Sequence, residues 1–215
     1  MLDAWDETAS LRGVAIDLGT GAAHHRTPGQ VVKLRVGGAE GYFALSTAPT
    51  EPAELLVARG SALGDAVIAA AQPGARLGAT EPFGPGFPLE EAHGRDLLVL
   101  ATGSGIAPIR AVLRHVRRNR DAFGRVAGYY GAKTPGDHAY AREVEAELTL
   151  VCSRAPAAFV GARGYVQDVA VQRQLGGLRP EATVAFLCGA RAMVADARAK
   201  LATRGLPADR TFLNF

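Results

Sequence analysis

One junction constrains this chain more than any other. An unbroken apolar run, Leu97-Leu98-Val99-Leu100-Ala101, leads into Thr102-Gly103-Ser104-Gly105, and beyond it apolar residues recur at Ile109, Val112, Leu113 and Val116. The run has the continuous hydrophobicity of a strand covered on both faces, as strands of parallel sheets are. The spacing after it is that of an amphipathic helix. Parallel neighbours need a crossover of a dozen or more residues, so the junction commits this part of the chain to a strand–helix–strand architecture. The pattern recurs as strand 125–131 with helix 137–147, strand 148–154 with helix 164–174, and strand 183–189 with helix 190–205, closing with a strand over 211–215. A doubly wound sheet of five parallel strands is predicted, with its ligand crevice at their carboxyl ends.

The first 90 residues follow another rule. Short alternating segments at 11–17, 30–36, 42–46, 54–59 and 76–80 are separated by turn residues, the pattern of an antiparallel barrel or sandwich. A single helix over 61–71 interrupts them, with Ser61 as N-cap and Gln72-Pro73-Gly74 as its stop. Glycine and proline crowd 81–95, so the domain boundary is expected there, giving a barrel domain over 1–90 and a nucleotide-binding domain over 91–215.

Composition removes several function classes. The formal charge is only +3, too small an excess to point to nucleic acid. Three of the 24 basic residues are lysines, so arginine forks suited to phosphate dominate, as they also would under a coding bias. Two cysteines, Cys152 and Cys188, are too few for a disulfide framework, a four-cysteine zinc site or an iron–sulfur cluster. Redox chemistry would therefore need a bound organic cofactor or a centre on another protein. No run reaches the roughly 18 apolar residues of a membrane span. The acidic start MLDAWDETAS lacks the features of a signal peptide, and a cytoplasmic location is expected.

Candidate site residues gather at the predicted strand ends. Thr102, Gly103, Ser104, Gly105, Ile106 and Pro108 form a glycine turn opening a helix, where backbone amides can meet a pyrophosphate. A tight packing turn would have the same sequence. Ser153 and Arg154, with Arg163 and Tyr165 downstream, could gather an anion and stack an aromatic ring; solvated surface arginines are the competing reading. Cys188 and Gly189 end another strand, with room beside the glycine for a ligand, whereas Cys152 is expected to be inert packing. His24-His25 has no third ligand at metal spacing and reads as a polar turn. Arg114-His115-Val116-Arg117-Arg118 reads as the wet face of the first helix of the nucleotide domain.

These pieces, in this order, resemble the ferredoxin–NADP⁺ reductase superfamily, in which a flavin-binding Greek-key barrel precedes a nicotinamide-nucleotide domain. The resemblance rests on Pro28-Gly29-Gln30, on GPGFPL at 84–89 (Gly84, Gly86 and Phe87), on ATGSGIAP at 101–108, on CSR at 152–154, on GYVQD at 164–168 with Gln167, and on CGARAM at 188–193 with Met193. It departs at the flavin signature R-x-Y-S, which reads Phe43-Ala44-Leu45-Ser46 here, so only the serine is kept. Asp65 also stands near the second phosphate element.

The resemblance implies an NAD(P)H-dependent oxidoreductase that passes electrons through FAD or FMN to a separate acceptor or partner protein. Ser46 and Cys188 would flank the reacting rings, Phe43, Ala44 and Leu45 would line the flavin, and the terminal Phe215 would cover it. Flavin would be held weakly or not at all, and NADPH favoured over NADH. The alternatives are a flavin-free NAD(P)-binding regulatory module and an accessory subunit of a larger redox complex.

Overall fold

The computed structural model describes residues 3–214. Its first half is a pair of three-stranded antiparallel sheets. One holds β1 (Asp3–Asp6), β2 (Leu11–Ile16) and β5 (Ala53–Ala58), in that order; the other has β3 (Val31–Val36) between β4 (Ala39–Ala44) and β6 (Gly78–Ala79). Antiparallel contact between Leu45 and Leu55 joins the two sheets. Between them Val14, Val32, Leu34, Leu45, Leu55, Val57 and Val67 make a closed apolar core. The β3–β4 hairpin turns on Gly37-Gly38, both at positive φ (56° and 81°), the backbone that a two-residue turn matching strand twist requires.

Strand β1 is absent from the expectations above because DAWD carries two charges and no alternation. Its Trp5 lies opposite Gly13 of β2, where a Cβ would stand 2.3 Å from the indole. The ring takes the place of the side chain that the glycine lacks. Helix α1 (Ala62–Ala70) begins as predicted, with Ser61 accepting from the Gly64 amide at 3.0 Å.

The second half is a six-stranded parallel sheet in the order β10 (Ala162–Arg163), β9 (Leu148–Cys152), β8 (Val126–Ala132), β7 (Asp96–Thr102), β11 (Thr183–Cys188), β12 (Thr211–Leu213). The sequence reading counts five strands; the sixth is the two-residue β10, too short to carry a periodicity. Along β7, Leu97, Val99 and Ala101 join α2 (Ile106–Arg118) on one face, while Leu98 and Leu100 join α4 (Val166–Gln172) and α5 (Arg191–Thr203) on the other. Leu11, Leu56, Phe87 and Leu89 belong to the α2-side cluster, so the core runs continuously from the barrel into the sheet. The helix expected over 137–147 shrinks to α3 (Ala141–Val144). Before it, Thr134 and Asp137 form a capping box around a short 3₁₀ turn, and Tyr140 breaks the run at φ 56°. Among the described residues no helix is long and apolar enough to cross a membrane.

Candidate nucleotide and flavin site

Strand order sets the crevice. β7 is flanked by β8 on one side and β11 on the other, so the chain leaves β7 and β11 in opposite directions and a gap opens at their carboxyl ends. Thr102–Gly105 and Cys188–Gly189 meet there. The Ala190 amide donates to Thr102 Oγ1 at 3.0 Å, and Tyr130 donates to the Gly103 carbonyl at 3.1 Å, tying three strand ends together. Gly103 (φ 54°) and Ser104 are exposed, and nothing lies within 4 Å of a Cβ built at 103. The 3₁₀ turn Gly103–Gly105 runs straight into α2, and neither first turn carries an acidic residue. This is an open, amide-lined, partially positive surface, and it fits a pyrophosphate.

Gly105 has a different role from the one expected. A Cβ there would stand 2.4 Å from the Cys188 carbonyl oxygen, so glycine permits two backbones to touch rather than a ligand to approach. Gly189 (φ 149°) is confined likewise, with its missing Cβ 2.1 Å from Thr102 Oγ1. Ile106 and Pro108 are buried in the core, and Met193 packs against Gly189, so none of the three presents surface to a nucleotide.

At the next strand end Ser153, Arg154 and Tyr165 are exposed, as a ligand would require, and Ser153 donates to the Ala132 carbonyl. Arg163 is not free to meet phosphate. Its guanidinium donates to the carbonyls of Ala155, Pro156, Ala157 and Phe159 and clasps that loop. Gln167 is buried and donates to Asp196, itself paired with Lys200.

Cys188 is half-buried. Its thiol donates to Asn214 Oδ1 at 3.4 Å, and burial pushes its pKa up to about 12, which favours the neutral thiol. Asn214 in turn donates to the Gly29 carbonyl at 3.2 Å, fastening the carboxy-terminal strand to the Pro28-Gly29-Gln30 corner. Phe215 lies outside the described residues.

On the barrel side two expectations are corrected. Leu45 has no exposed surface and belongs to the barrel core, so it flanks no ring in this conformation. Ser46 is equally buried. Its hydroxyl donates to the Glu54 carbonyl at 3.0 Å and accepts from Arg110 (3.4 Å) and Tyr140 (3.5 Å), which leaves it no capacity for a cofactor. Phe87 stacks on Phe186, with centroids 4.7 Å apart, and serves the interdomain core. Gly86 lets that corner close, since a Cβ would lie 2.6 Å from the Pro28 carbonyl. Gly84 is exposed at φ 87°, and its carbonyl accepts from Gln30.

Phe43 and Ala44 remain half-exposed, and Phe43 also packs against the barrel core. The phosphate half of a flavin does not fit. No cation stands at 43, and of the amides around the start of α1 those of Gly64 and Gly60 are taken by Ser61 and Asp65.

The residues that join the halves went unseen in the sequence. Arg110, 5% exposed, donates to Glu54 at 2.6 Å and Glu143 at 2.7 Å and lies 4.1 Å over the Tyr140 ring. Arg114 and Arg118 reach Glu51, so the supposed wet face of α2 is partly an ionic seam with the barrel. Burial alone would raise the Glu143 carboxyl, but Arg114 and Arg110 pull it down to about 2. The available signal was a charged residue four positions after Ile106 and three before Leu113, on the apolar stripe. His25, read as part of a polar turn, is buried, and burial lowers its pKa to about 4.

Comparison with known proteins adds three findings. The family of oxidoreductase NAD-binding domains matches residues 99–199. The reductase component of propane 2-monooxygenase from Mycolicibacterium goodii is 31% identical over 209 residues, covering 86% of this chain and 57% of that protein. Ferredoxin–NADP reductase B of Sorangium cellulosum is 34% identical over 145 residues, 59% of this chain and 56% of its own length. The chain thus spans a little over half of these relatives. Among solved structures, a ferredoxin–NADP⁺ reductase from Neisseria gonorrhoeae with bound FAD and NADP superposes with a TM-score of 0.81 at 20% identity, over 100% of this chain and 96% of that one. The chain thus has the fold of ferredoxin–NADP⁺ reductases, and its sequence is similar to reductases of that type.

Proposed function

We propose that this chain is an NAD(P)H-dependent oxidoreductase of the ferredoxin–NADP⁺ reductase type, passing electrons from a nicotinamide through flavin to a separate small acceptor or partner protein. The observation that carries the reading is the open, amide-lined first turn at Gly103-Ser104, at the point where the strand order of the parallel sheet reverses. The barrel over 1–90, taken as a Greek-key barrel, would form the second wall, and 91–215 the nucleotide domain.

Gly103 and Ser104 would hold the pyrophosphate through backbone amides, with the α2 dipole favouring its charge. Arg154 would meet the 2′-phosphate, with Ser153 beside it and Tyr165 against the adenine. Gly189 and the neutral Cys188 would border the nicotinamide. Bound NAD(P)H supplies the hydride; this chain's residues orient it and keep water from the reacting face. The Arg110–Glu54–Glu143 seam would fix the two halves in register. The relatives named above are reductases and support an acceptor on another protein.

The test is calorimetric titration of the full chain with NADPH and NADH, before and after Arg154→Ala. The reading predicts binding of both, with NADPH weakened about ten- to a hundred-fold by the lost charged contact and NADH less than twofold. No binding of either cofactor would contradict it.

A further inference from the structure

Backbone amides hold a pyrophosphate only as well as they are aimed. The carbonyl of Gly103 and the amide of Ser104 belong to one planar peptide unit, and in a trans peptide the two point in opposite directions. Gly103 has no side chain to restrain that unit, and no atom lies within 4 Å of the place its Cβ would take. The restraint falls on the carbonyl, which accepts from the Ile106 amide inside the turn and from the Tyr130 hydroxyl at 3.1 Å. Tyr130 is fully buried in the α2-side core, and burial raises its pKa, so the hydroxyl keeps its proton for Gly103. A carbonyl drawn towards the core leaves the amide of the same unit facing away from it, on the side where Ser104 is exposed.

We infer that Tyr130 is a positioning residue for the nucleotide, aiming the Ser104 amide, and that the barrel holds it in place through Glu7. This rests on the reading above that Gly103-Ser104 takes the pyrophosphate. The Tyr130 hydroxyl accepts in turn from the Ala139 amide at 3.2 Å, and the His138 ring stands perpendicular to the phenol with its Nε2 3.1 Å from the Tyr130 carbonyl. The next residue, Tyr140, lies in the left-handed region at φ 56°, a conformation that costs a residue with a large side chain. What holds it there comes from the other half of the molecule. The Tyr140 amide donates to Glu7 Oε2 at 2.8 Å, while Glu7 Oε1 accepts from the Trp5 indole at 2.6 Å. A line of contacts therefore runs from the first strand of the barrel, through Glu7, the 138–140 segment and Tyr130, to the peptide unit that faces the nucleotide.

The experiment is calorimetric titration of the full chain with NADPH, NADH and adenosine 2′-monophosphate, for the natural sequence, Tyr130→Phe, Glu7→Gln and the double variant. The monophosphate carries the adenosine side of the nucleotide without a pyrophosphate. Tyr130→Phe keeps the ring in the core and removes only the hydroxyl. Expected is a weakening of NADPH and NADH by the same factor, about three- to tenfold, with the monophosphate unchanged. Glu7→Gln turns one of two accepting oxygens into a donor and should weaken both dinucleotides about two- to threefold. The double variant should bind them no more weakly than Tyr130→Phe alone, because both changes act on one line of contacts. Melting temperatures establish that each variant folds, and should Tyr130→Phe fail to, the half-buried Glu7→Gln decides by the same comparison. Dinucleotide affinity unchanged in a folded variant, or an equal loss for the monophosphate, would overturn the proposal and leave the nucleotide site standing. Losses that multiply in the double variant would overturn the part assigned to Glu7. Failure of the natural sequence to bind any of the three would remove the nucleotide reading and this proposal with it.

Discussion

Ser104→Glu separates nucleotide binding from folding more cleanly than any glycine substitution at this site. Ser104 is exposed in the first turn of a helical run whose start carries no acid, so a carboxylate there complements the dipole and should leave stability unchanged or raise it by about 0.3–1 kcal/mol. The same carboxylate would face a bound pyrophosphate. Two unit charges roughly 6 Å apart at an effective dielectric near 20 to 40 repel by about 1.4–2.8 kcal/mol, which is about ten- to a hundred-fold in affinity. Calorimetry with NADPH should therefore show a weakened dissociation constant in a variant whose melting temperature is equal or higher. Because the effect is electrostatic, part of it should return in high salt. Unchanged affinity in the folded variant would show that the pyrophosphate lies elsewhere and refute the reasoning from Gly103-Ser104.

Gly105→Ala should act oppositely: its Cβ meets the Cys188 backbone, so the melting temperature should fall, by about 1–3 kcal/mol of stability in denaturant titration. Arg110→Ala leaves Glu54 and Glu143 without their shared cation and should cost about 3–5 kcal/mol, visible as an earlier unfolding midpoint. Arg163→Ala frees four loop carbonyls and should raise proteolysis within 155–159 before any global unfolding. Acid should destabilise the fold in two stages. His25 is held neutral with a pKa near 4 against 6.5 unfolded, so its contribution is full above pH 6.5 and lost as pH falls towards 4. Glu143, at about 2 against 4.5, contributes above pH 4.5 and is lost as pH falls towards 2. Denaturant midpoints across this range should show both stages, and Glu143→Gln should abolish the lower one.

The sheet was legible because its strands are buried on both faces and its helices keep a 3.6-residue period; hydrophobicity alone wrote both patterns. β10 and the truncated α3 were not, since each is fixed by tertiary contacts. Arg163 holds the loop before β10, and the Tyr140 amide donates to Glu7 of the barrel at 2.8 Å. The glycine turn lies between β7 and α2, as its strand-before and helix-after pattern implies. Gly105 and Gly189 are glycines for backbone packing, a distinction that requires knowing what lies opposite them. Leu45 and Ser46 hold the place of the flavin signature in the motif order, but only the folded chain brings Arg110 and Tyr140 over the serine. Arg110 hid in plain view because an arginine near others on a helix is usually wet, and its burial depends on acids from two distant segments.

The most direct test of the central claim is anaerobic mixing of the full chain with NADPH or NADH and free flavin, following loss of the oxidised flavin's absorbance. The account predicts reduction that saturates with nucleotide, depends on the chain, and is slowed by Ser104→Glu at low nucleotide and restored at high. Nucleotide binding by calorimetry without any flavin reduction would contradict it, and would leave the chain a nucleotide-binding module without a redox step.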